Sequence, residues 1–236
     1  GFIMRYREIV VLTGAGVSAE SGVRTFRDND GLWEDHRVED VATPEAFARN
    51  PELVQRFYNL RRAHLDSVEP NPAHVALARL ERELDGRVTV VTQNVDDLHE
   101  RGGSRDVIHM HGELRKVRCN RCRVVNGWDT DCTQETRCPD CGQAPALRPH
   151  IVWFGEMPFA METISDRLRA CDLFISIGTS GNVYPAAGFV HDVQDAGDAH
   201  TIELNLEPGA CSRFFAEHRH GKAGELVPVL VDELLG

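Results

Sequence analysis

The stretch EIVVLTGAGVSA, residues 8–19, decides the fold class of this chain. Its first half is a short, β-branched apolar run, typical of a strand that a parallel sheet buries on both faces. Its second half fits the pattern G-x-G-x-x-[GA], whose glycines let the backbone approach a pyrophosphate at a helix N-terminus. A single match is weak evidence for a dinucleotide, because any tight turn from a strand into a helix could produce it.

Three runs downstream are also predicted strands, and polar residues stand at the end of each. The runs are residues 87–92, 173–178 and 201–206, and the polar ends are Gln93-Asn94-Val95-Asp96, Gly178-Thr179-Ser180 and Asn205-Leu206-Glu207. Residues 44–84 and 225–235 are helical in pattern, and Thr43 before Pro44 predicts the start of a helix. The alternation of strands and helices predicts an α/β fold around a parallel sheet. Ligands of such sheets bind beyond the carboxyl ends of the strands, so we expect one shared crevice there.

The acidic residue that completes a dinucleotide fingerprint is not in its usual place. A second strand ending in Asp or Glu is expected about 20 residues after the glycines. Residues 32–36 are polar and not strand-like. The acidic ribose contact would then come from Glu207, with Asn205 two residues earlier on the same side.

The composition of the 236 residues is that of a globular protein long enough for one large domain or for a domain plus a module. The net charge of -11 argues against direct nucleic-acid binding and against a polybasic membrane anchor, and it favours basic partners. No apolar run reaches transmembrane length, and no secretory signal is recognisable. We therefore expect a cytoplasmic protein, without membrane partners, that acts as a monomer.

Four of the seven cysteines form two pairs, which are Cys119 with Cys122 and Cys138 with Cys141. The spacing C-x2-C-x15-C-x2-C lies in the range of zinc-ribbon-like sites, and four thiolates fill a tetrahedral shell without leaving a position for water. We therefore predict one structural zinc that stabilises a loop-rich insertion too small for its own core. Redox-active or free thiols are the alternative, and Cys132, between the pairs, is expected to be unliganded.

Two histidines and one aspartate are candidate catalytic residues, each with a plainer interpretation. His109 and His111 alternate about Met110, so in extended chain both side chains face the same way. One of them could be a general base near neutral pH, whereas ordinary hydrogen-bonded histidines are the alternative. Asp96 could serve the crevice or cap the helix that follows it.

The segment RFYNLRRAHL, residues 56–65, predicts an amphipathic helix whose apolar side includes Leu60. Tyr58 and Arg61 are three residues apart, so they are neighbours on the helix surface. Arg62 falls off their face and is expected to be solvated. The segment alone does not decide whether Tyr58 and Arg61 form a surface contact or hold a ligand.

Together these motifs resemble the sirtuins, which are NAD-dependent protein lysine deacylases. The resemblance spans residues 9 to about 223 and keeps the order of the family's motifs. The matching motifs are GAGVS (14–18), GVRTFR (22–27), QNVD (93–96), HG (111–112), the two cysteine pairs, VWFGE (152–156), GTS (178–180) and NLE (205–207).

The resemblance implies a Rossmann-like parallel-sheet domain with a smaller zinc-binding plus helical domain, and substrates bound between them. The Rossmann-like domain would comprise residues 4–36, 86–113 and 148–236. The helical insertion would be residues 37–85, and the zinc-binding module residues 114–147.

The resemblance also implies that NAD is consumed as a co-substrate and is not recycled by hydride transfer. The residues that would contact NAD are Gly14, Ala15, Gly16, Ser18, Glu20, Thr25, Phe26, Arg27, Trp33, Gln93, Asn94, Val95, Asp96, Gly178, Thr179, Ser180, Asn205, Leu206, Glu207 and Ala223. His111 would be the general base, while Asn94 and Asp96 would be the amide and carboxylate neighbours that a cationic ribosyl centre needs. Acylated lysine-containing proteins would be the partners, and backbone for an extended substrate peptide would come from Val152, Trp153, Phe154, Gly155 and Glu156.

In the reaction that the resemblance implies, the acyl oxygen attacks the ribose C1′ as nicotinamide leaves. His111 deprotonates a ribose hydroxyl, which attacks the acyl carbon, and water then yields free lysine and O-acyl-ADP-ribose. The cofactor loop has Arg24 and Thr25 where many sirtuin deacetylases have Pro and Asp. This pair is familiar in bacterial sirtuins that act on acidic acyl groups, so it casts no doubt on NAD use.

Three residues favour acidic acyl groups within this family. Tyr58 and Arg61 match the Tyr-x-x-Arg of desuccinylase-type sirtuins, and Ala42 matches a small residue that widens their acyl pocket. An arginine can hold a carboxylate in two bonds. The leading hypothesis is therefore a lysine deacylase that removes succinyl, malonyl and acetyl groups. The alternatives are a plain deacetylase, an NAD-binding regulator without turnover and a conventional dehydrogenase, and the last two leave His111 without a role.

Overall fold

The computed structural model describes residues 5–24, 32–33 and 36–236. The strands in chain order are β1 (Glu8–Thr13), β2 (Leu32–Trp33), β3 (His36–Arg37), β4 (Arg87–Thr92), β5 (Val107–His109), β6 (Gly112–Cys119), β7 (Val125–Gly127), β8 (Leu147–Ile151), β9 (Leu173–Ile177), β10 (His200–Asn205) and β11 (Glu217–His220). The helices are α1 (Ala15–Ala19), α2 (Val38–Val41), α3 (Pro44–Arg49), α4 (Pro51–His64), α5 (Pro72–Glu83), α6 (Leu98–Arg101), α7 (Met161–Ala170), α8 (Phe189–Ala196) and α9 (Ala223–Leu235).

Six parallel strands form the central sheet in the order β11-β10-β9-β1-β4-β5. In this register Ile9 of β1 lies opposite Val88 on one side and Leu173 on the other. The chain first extends the sheet from β1 through β4 and later returns to β9 on the opposite side of β1. The strand order therefore reverses between β1 and β9, which is where open α/β sheets bind ligands. The predicted parallel α/β fold is confirmed.

Helices cover both faces of the sheet, as the apolar run in β1 predicts. Ile9 and Val11 pack in the core on the face of α5 and α9. Val10 and Leu12 pack in a second core on the other face, with α7 and α8. Successive side chains of a strand alternate between faces, so a strand with two helical layers must be apolar throughout.

A third core holds the helical segment beside the sheet. Residues of α2, α3 and α4 pack there with Leu114, Ile151 and Trp153. The position of Thr43 before Pro44 predicts a helix start, and the hydroxyl oxygen of Thr43 accepts the N–H of Ala46 at 3.0 Å. This cap is therefore confirmed. A separate antiparallel sheet, in the order β7-β6-β8, adjoins the four paired cysteines.

The structure differs from the sequence-based expectation at the margins of the sheet. The edge strands β5 and β11 are short and have no apolar run, so hydrophobic patterning did not predict them. Leu32–Trp33 pairs antiparallel with His36–Arg37, so the expectation of no strand there is wrong. This two-residue pairing is separate from the central sheet, so it does not supply the missing strand of a dinucleotide fingerprint. Within the described ranges, every helix is too short or too polar to span a bilayer.

Candidate functional site

A cleft of about 1040 Å³ opens at the carboxyl ends of β1, β4, β9 and β10. Most of the residues proposed from the sequence line it. They are Gly14, Ala15, Gly16, Ser18, Glu20, Ala42, Tyr58, Arg61, Gln93, Asn94, Val95, Asp96, His111, Val152, Trp153, Phe154, Gly155, Glu156, Gly178, Thr179, Ser180, Asn205, Leu206, Glu207 and Ala223. Thr25, Phe26, Arg27 and the side chain of Trp33 lie outside the described residues.

The glycines after β1 pack against the turn after β9. The N–H of Gly16 donates to the carbonyl of Gly178 at 2.9 Å. A Cβ on Gly16 would lie 2.7 Å from the Cα of Gly178, and one on Gly14 would lie 2.8 Å from its carbonyl oxygen. The packing of the two turns therefore requires these glycines without any ligand, which is the plainer interpretation of the motif.

Asn94 connects the end of β4 to the glycine turn. Its Nδ2 donates to the carbonyl of Gly14 at 2.9 Å and to the hydroxyl of Ser18 at 3.3 Å. Both hydrogens of the amide group are therefore directed into the protein, which fixes the orientation of the side chain.

The hydroxyl of Ser18 also accepts a hydrogen bond from His74, a buried histidine that sequence reasoning missed. The Nδ1 of His74 accepts the N–H of Asn71 at 3.0 Å, so its Nε2 carries the proton and donates to Ser18 at 3.4 Å. Burial lowers the pKa of His74 to about 4. The ring is therefore neutral at physiological pH and acts as a fixed donor under the cleft.

Asp96 lines the cleft and also contacts the start of α6, although the N-cap of α6 is Asp97. Asp96 is 3% exposed. Its Oδ1 accepts the N–H of Leu98 at 3.0 Å, at the start of α6. Burial raises the pKa of Asp96, against the lowering effect of the Leu98 N–H and the Ser18 hydroxyl.

His111 has the geometry of a general base. Its Nδ1 lies 3.2 Å from the carbonyl oxygen of Gln93, which can only accept, so Nδ1 carries the proton. The neutral ring then has its lone pair on Nε2. Burial lowers the pKa of His111, with a smaller opposing effect from the Gln93 hydrogen bond, so the neutral form predominates at physiological pH.

The pKa of His109 is shifted in the opposite direction. Its Nδ1 donates to the carbonyl of Asn94 at 3.2 Å, and its Nε2 lies 2.5 Å from the carboxylate of Glu100. Burial lowers the pKa of His109, but the Glu100 hydrogen bond and the charges of Glu100 and Glu113 outweigh it and raise the pKa. His109 is thus an ion-pair partner, and only His111 of the two lines the cleft.

The loop after β8 is fixed by an internal ion pair. Arg148 is 6% exposed, and its two terminal nitrogens each donate to the Glu156 carboxylate at 2.9 Å. Glu156 also accepts the N–H of Trp153 at 2.9 Å, and the guanidinium of Arg148 lies 3.6 Å from the centre of the Trp153 ring. The side chain of Glu156 therefore shapes the loop.

Three backbone N–H groups of this loop already have acceptors within the protein. Val152 donates to the carbonyl of His111 at 2.8 Å, and Phe154 donates to that of Ala42 at 3.0 Å. The N–H of Glu156 donates to the carbonyl of Trp153. A peptide lying on the loop would therefore pair with carbonyl oxygens or with the N–H of Gly155.

Tyr58 and Arg61 of α4 line the cleft with His111. The hydroxyl of Tyr58 accepts the indole N–H of Trp153 at 2.8 Å. Burial raises the pKa of Tyr58, so the hydroxyl stays protonated. Tyr58 is completely buried from bulk solvent, so a simple surface role for it does not fit the structure.

Two expectations about the rest of α4 are wrong. Leu60, predicted on the apolar side, is 60% exposed. Arg62, predicted to be solvated, is 1% exposed. Its Nε donates to the carbonyl of Leu114 at 2.8 Å and its Nη1 to that of Thr130 at 3.1 Å. A pattern of charged residues cannot show such burial, because the acceptors come from distant segments.

Several other cleft residues were also missed by the sequence reasoning. Val183 and Tyr184 line the cleft and are 41% and 73% exposed. The signal for them was their position, a few residues after the polar end of β9. Glu20 lines the cleft as proposed, but its carboxylate also accepts the N–H of Gly224 at 3.0 Å, at the first turn of α9.

The four paired cysteines converge at one point. Their sulfur atoms all lie within 4.8 Å of one another. The Sγ distances are 3.7 Å for Cys119 and Cys141, and 3.6 Å for Cys122 and Cys138. A zinc ion with Zn–S bonds of about 2.3 Å holds its sulfurs roughly 3.8 Å apart, so the donor set fits tetrahedral zinc. Cys132 is buried and is not a member of this cluster.

Comparisons with known proteins agree on one family. The family model described as "Sir2 family" matches residues 14–185. An "NAD-dependent protein deacylase" of Vibrio vulnificus (strain YJ016) is 62% identical over 232 residues, which cover 98% of this chain and 94% of that protein. One of the same name from Salmonella typhimurium is 57% identical over 235 residues, covering 99% and 86%. The crystal structure of a Sir2 homologue–NAD complex matches with a TM-score of 0.88 at 41% identity, covering 98% of this chain and 91% of that one.

Proposed function

The chain belongs to the Sir2 family, the sirtuins, and is an NAD-dependent protein deacylase, and we propose that it removes succinyl and malonyl groups as well as acetyl groups from lysine side chains. The observation that carries this proposal is the presence of Tyr58 and Arg61 in the same cleft as His111. The cleft thereby combines a general base with a cation and a phenol that suit a carboxylate.

The chemistry of Tyr58 and Arg61 matches an acyl group that ends in a carboxylate. The neutral hydroxyl of Tyr58 is a hydrogen-bond donor, and its raised pKa keeps it so. A guanidinium can bind both oxygens of a carboxylate. Ala42 is 5% exposed and has only a methyl side chain, which leaves room for a longer acyl chain beside them. Removing one partner of such a desolvated pair costs roughly 2–5 kcal/mol.

The described residues of the cleft fit NAD. The four strand ends that meet at the reversal of strand order supply hydroxyl, amide and carboxylate groups to one cleft of about 1040 Å³. This volume is at the upper end of the range for ligand sites, as a dinucleotide with an acyl-lysine requires. When bound, NAD supplies the ribosyl group that accepts the acyl group as nicotinamide is released. The adenosine half would lie against Ser180, Asn205, Leu206, Glu207 and Ala223.

His111, Asn94 and Asp96 are the proposed catalytic residues. The Nε2 of His111 takes a proton from a hydroxyl group, because its Nδ1 is already committed to Gln93. The Asp96 carboxylate and the Asn94 side chain stabilise positive charge that develops near them. Since Asn94 is bonded to Gly14 and Ser18, it needs little reorganisation during the reaction.

The substrate peptide is proposed to lie along residues Val152–Glu156. Because the N–H groups of Val152, Phe154 and Glu156 are used internally, the contact depends on the carbonyls and Gly155. Phe154 is 57% exposed and gives the peptide an apolar surface. An acylated protein is the partner, and the net charge of -11 favours basic sequences around the lysine.

A structural zinc ion is proposed at Cys119, Cys122, Cys138 and Cys141. The ion would stabilise residues 114–147 as a module, with residues 37–85 as the helical insertion beside it. Four thiolates leave no position for a substrate, so the metal takes no part in acyl transfer.

The acidic-acyl function is tested by Arg61→Met, assayed on acetyl and succinyl versions of one peptide. We expect kcat/KM for the succinyl peptide to fall by roughly 30-fold or more, since about 2–5 kcal/mol of binding is lost. The value for the acetyl peptide should change by less than about threefold. Arg56→Met, at an exposed position of the same helix, is the matched control and should change neither. An equal loss on both peptides would instead favour a plain deacetylase.

A further inference from the structure

Helix α4 carries a buried polar stripe, which we define as Gln55, Asn59 and Arg62. The three residues are four and three positions apart, so they share one face of the helix. Gln55 is 2% exposed and Arg62 is 1% exposed, and Asn59 is half-buried. Tyr58 and Arg61 lie on the adjacent side of the same helix, which lines the cleft.

Asn59 and Arg62 form one hydrogen-bonded unit. The Oδ1 of Asn59 accepts from the Nη1 of Arg62 and from the backbone N–H of Cys132, both at 2.8 Å. Its Nδ2 donates to the carbonyl of Cys132 at 2.9 Å. Arg62 also donates to the carbonyls of Leu114 and Thr130. The side chain of Asn59 therefore binds both the N–H and the carbonyl of Cys132. These two bonds fix the position of Asn59 along the helix axis relative to Cys132.

Among the residues that the structure describes, the partners of the stripe outside α4 all belong to residues 114–147. Gln55 donates to the carbonyl of Leu147 at 2.9 Å and to the side chain of Gln134 at 3.4 Å. The other partners are Leu114, Thr130 and Cys132. The stripe is thus the connection between the helix of the acyl pocket and the segment that carries the four cysteines.

Most of these contacts are made to backbone atoms, which cannot move as side chains do. These hydrogen bonds therefore fix the rotation and axial position of α4 more tightly than apolar packing would. The N–H groups of Arg62 are directed at two backbone carbonyls and the side chain of Asn59, and such a directional set of bonds points to a role in positioning. Leu114 reinforces this link, because it lines the cleft and its N–H donates to the carbonyl of Val95 at 2.8 Å.

We propose that Asn59 and Arg62 are positioning residues that hold Tyr58 and Arg61 in the geometry that selects acidic acyl groups. Asn59 and Arg62 each follow one of those cleft residues in the sequence, so a rotation that breaks their contacts displaces the pair. A carboxylate needs both groups aligned, whereas an acetyl group has no carboxylate for them to hold. The preference for the succinyl peptide should therefore be more sensitive to a displacement of α4 than the rate of deacetylation is. This inference rests on the proposed acidic-acyl function.

The test compares Arg62→Lys, Asn59→Leu and Asn59→Asp with the exposed control Arg56→Met on the paired acetyl and succinyl peptides. All are assayed at a temperature at which circular dichroism shows each variant folded. Since a displacement of about 1 Å can cost up to roughly 100-fold, we expect Arg62→Lys and Asn59→Leu to raise KM for the succinyl peptide by about tenfold or more. The kcat on that peptide and both constants on the acetyl peptide should stay within about threefold of the unmodified protein.

Asn59→Asp provides the rescue. It keeps the oxygen that accepts from Arg62 and Cys132, so its selectivity should lie closer to the unmodified protein than that of Asn59→Leu. Equal losses on the two peptides, or no loss in any variant, would overturn the positioning role. Arg61→Met measured in the same series separates the two proposals, because an equal loss there overturns the acidic-acyl function itself.

Discussion

The indole Nε1 of Trp153 donates a 2.8 Å hydrogen bond to the hydroxyl oxygen of Tyr58. This bond joins α4 to the loop on which we place the substrate peptide. Trp153 in turn stacks on the guanidinium of Arg148, whose partner is Glu156. The acyl pocket and the peptide loop therefore share one set of contacts.

Tyr58→Phe removes the hydroxyl while it keeps the ring. We expect kcat/KM on the succinyl peptide to fall by about tenfold or more, because a hydrogen bond to a charged group contributes roughly 1.5–3 kcal/mol. The loss should be smaller than for Arg61→Met, which removes the charge. The acetyl peptide serves as the internal control. The proposed contact would be wrong if Tyr58→Phe reduced deacetylation as much as desuccinylation.

The pH dependence of deacetylation should report the protonation of His111. Burial lowers the pKa of His111, and the neutral form is the base, so activity is lost only as pH falls through a value below the ordinary pKa of about 6.5. The measurement is kcat/KM on the acetyl peptide between roughly pH 5 and 8, because this acyl group has no carboxylate of its own. An acid limb with a pKa above about 6.5 would point instead to His109, whose pKa is raised.

Metal content and stability should follow the four-cysteine cluster. We expect one zinc per chain by mass spectrometry of the intact protein, and none in Cys138→Ser. Loss of a structural zinc should lower Tm by on the order of 10 °C. Cys171→Ser lies outside the cluster and is the matched control, with zinc and Tm unchanged. Zinc-free protein with linked cysteine pairs would support the redox alternative.

The sequence predicted those parts of the fold that depend on local patterning. The four central strands were found from their apolar and β-branched residues, which run continuously in β1 and β9 and alternate with polar residues in β10. Thr43 with Pro44 identified the start of α3. The edge strands β5 and β11 were not found, because backbone pairing with a neighbour defines them. The expected crevice at the strand ends follows from the parallel topology, which apolar runs and helices together specify.

Side-chain burial on α4 could not be predicted in the same way. Arg62 is buried because its acceptors lie 52 and 68 residues further along the chain, at Leu114 and Thr130. One side of α4 carries the buried polar stripe and another side lines the cleft. Leu60 lies on neither side and is therefore exposed. An amphipathic pattern assumes one apolar and one wet face, which does not describe this helix.

The contact between Gly16 and Gly178 changes how tolerance to substitution should be interpreted across this chain. A genetic screen that scores only the amount of folded protein should already eliminate larger residues at Gly14 and Gly16, although it does not measure deacylation. A screen for activity would eliminate the same substitutions for a reason unrelated to NAD. Intolerance at these two positions therefore measures how closely two turns approach, whereas a proposed catalytic residue such as His111 should be tested only by the screen for activity.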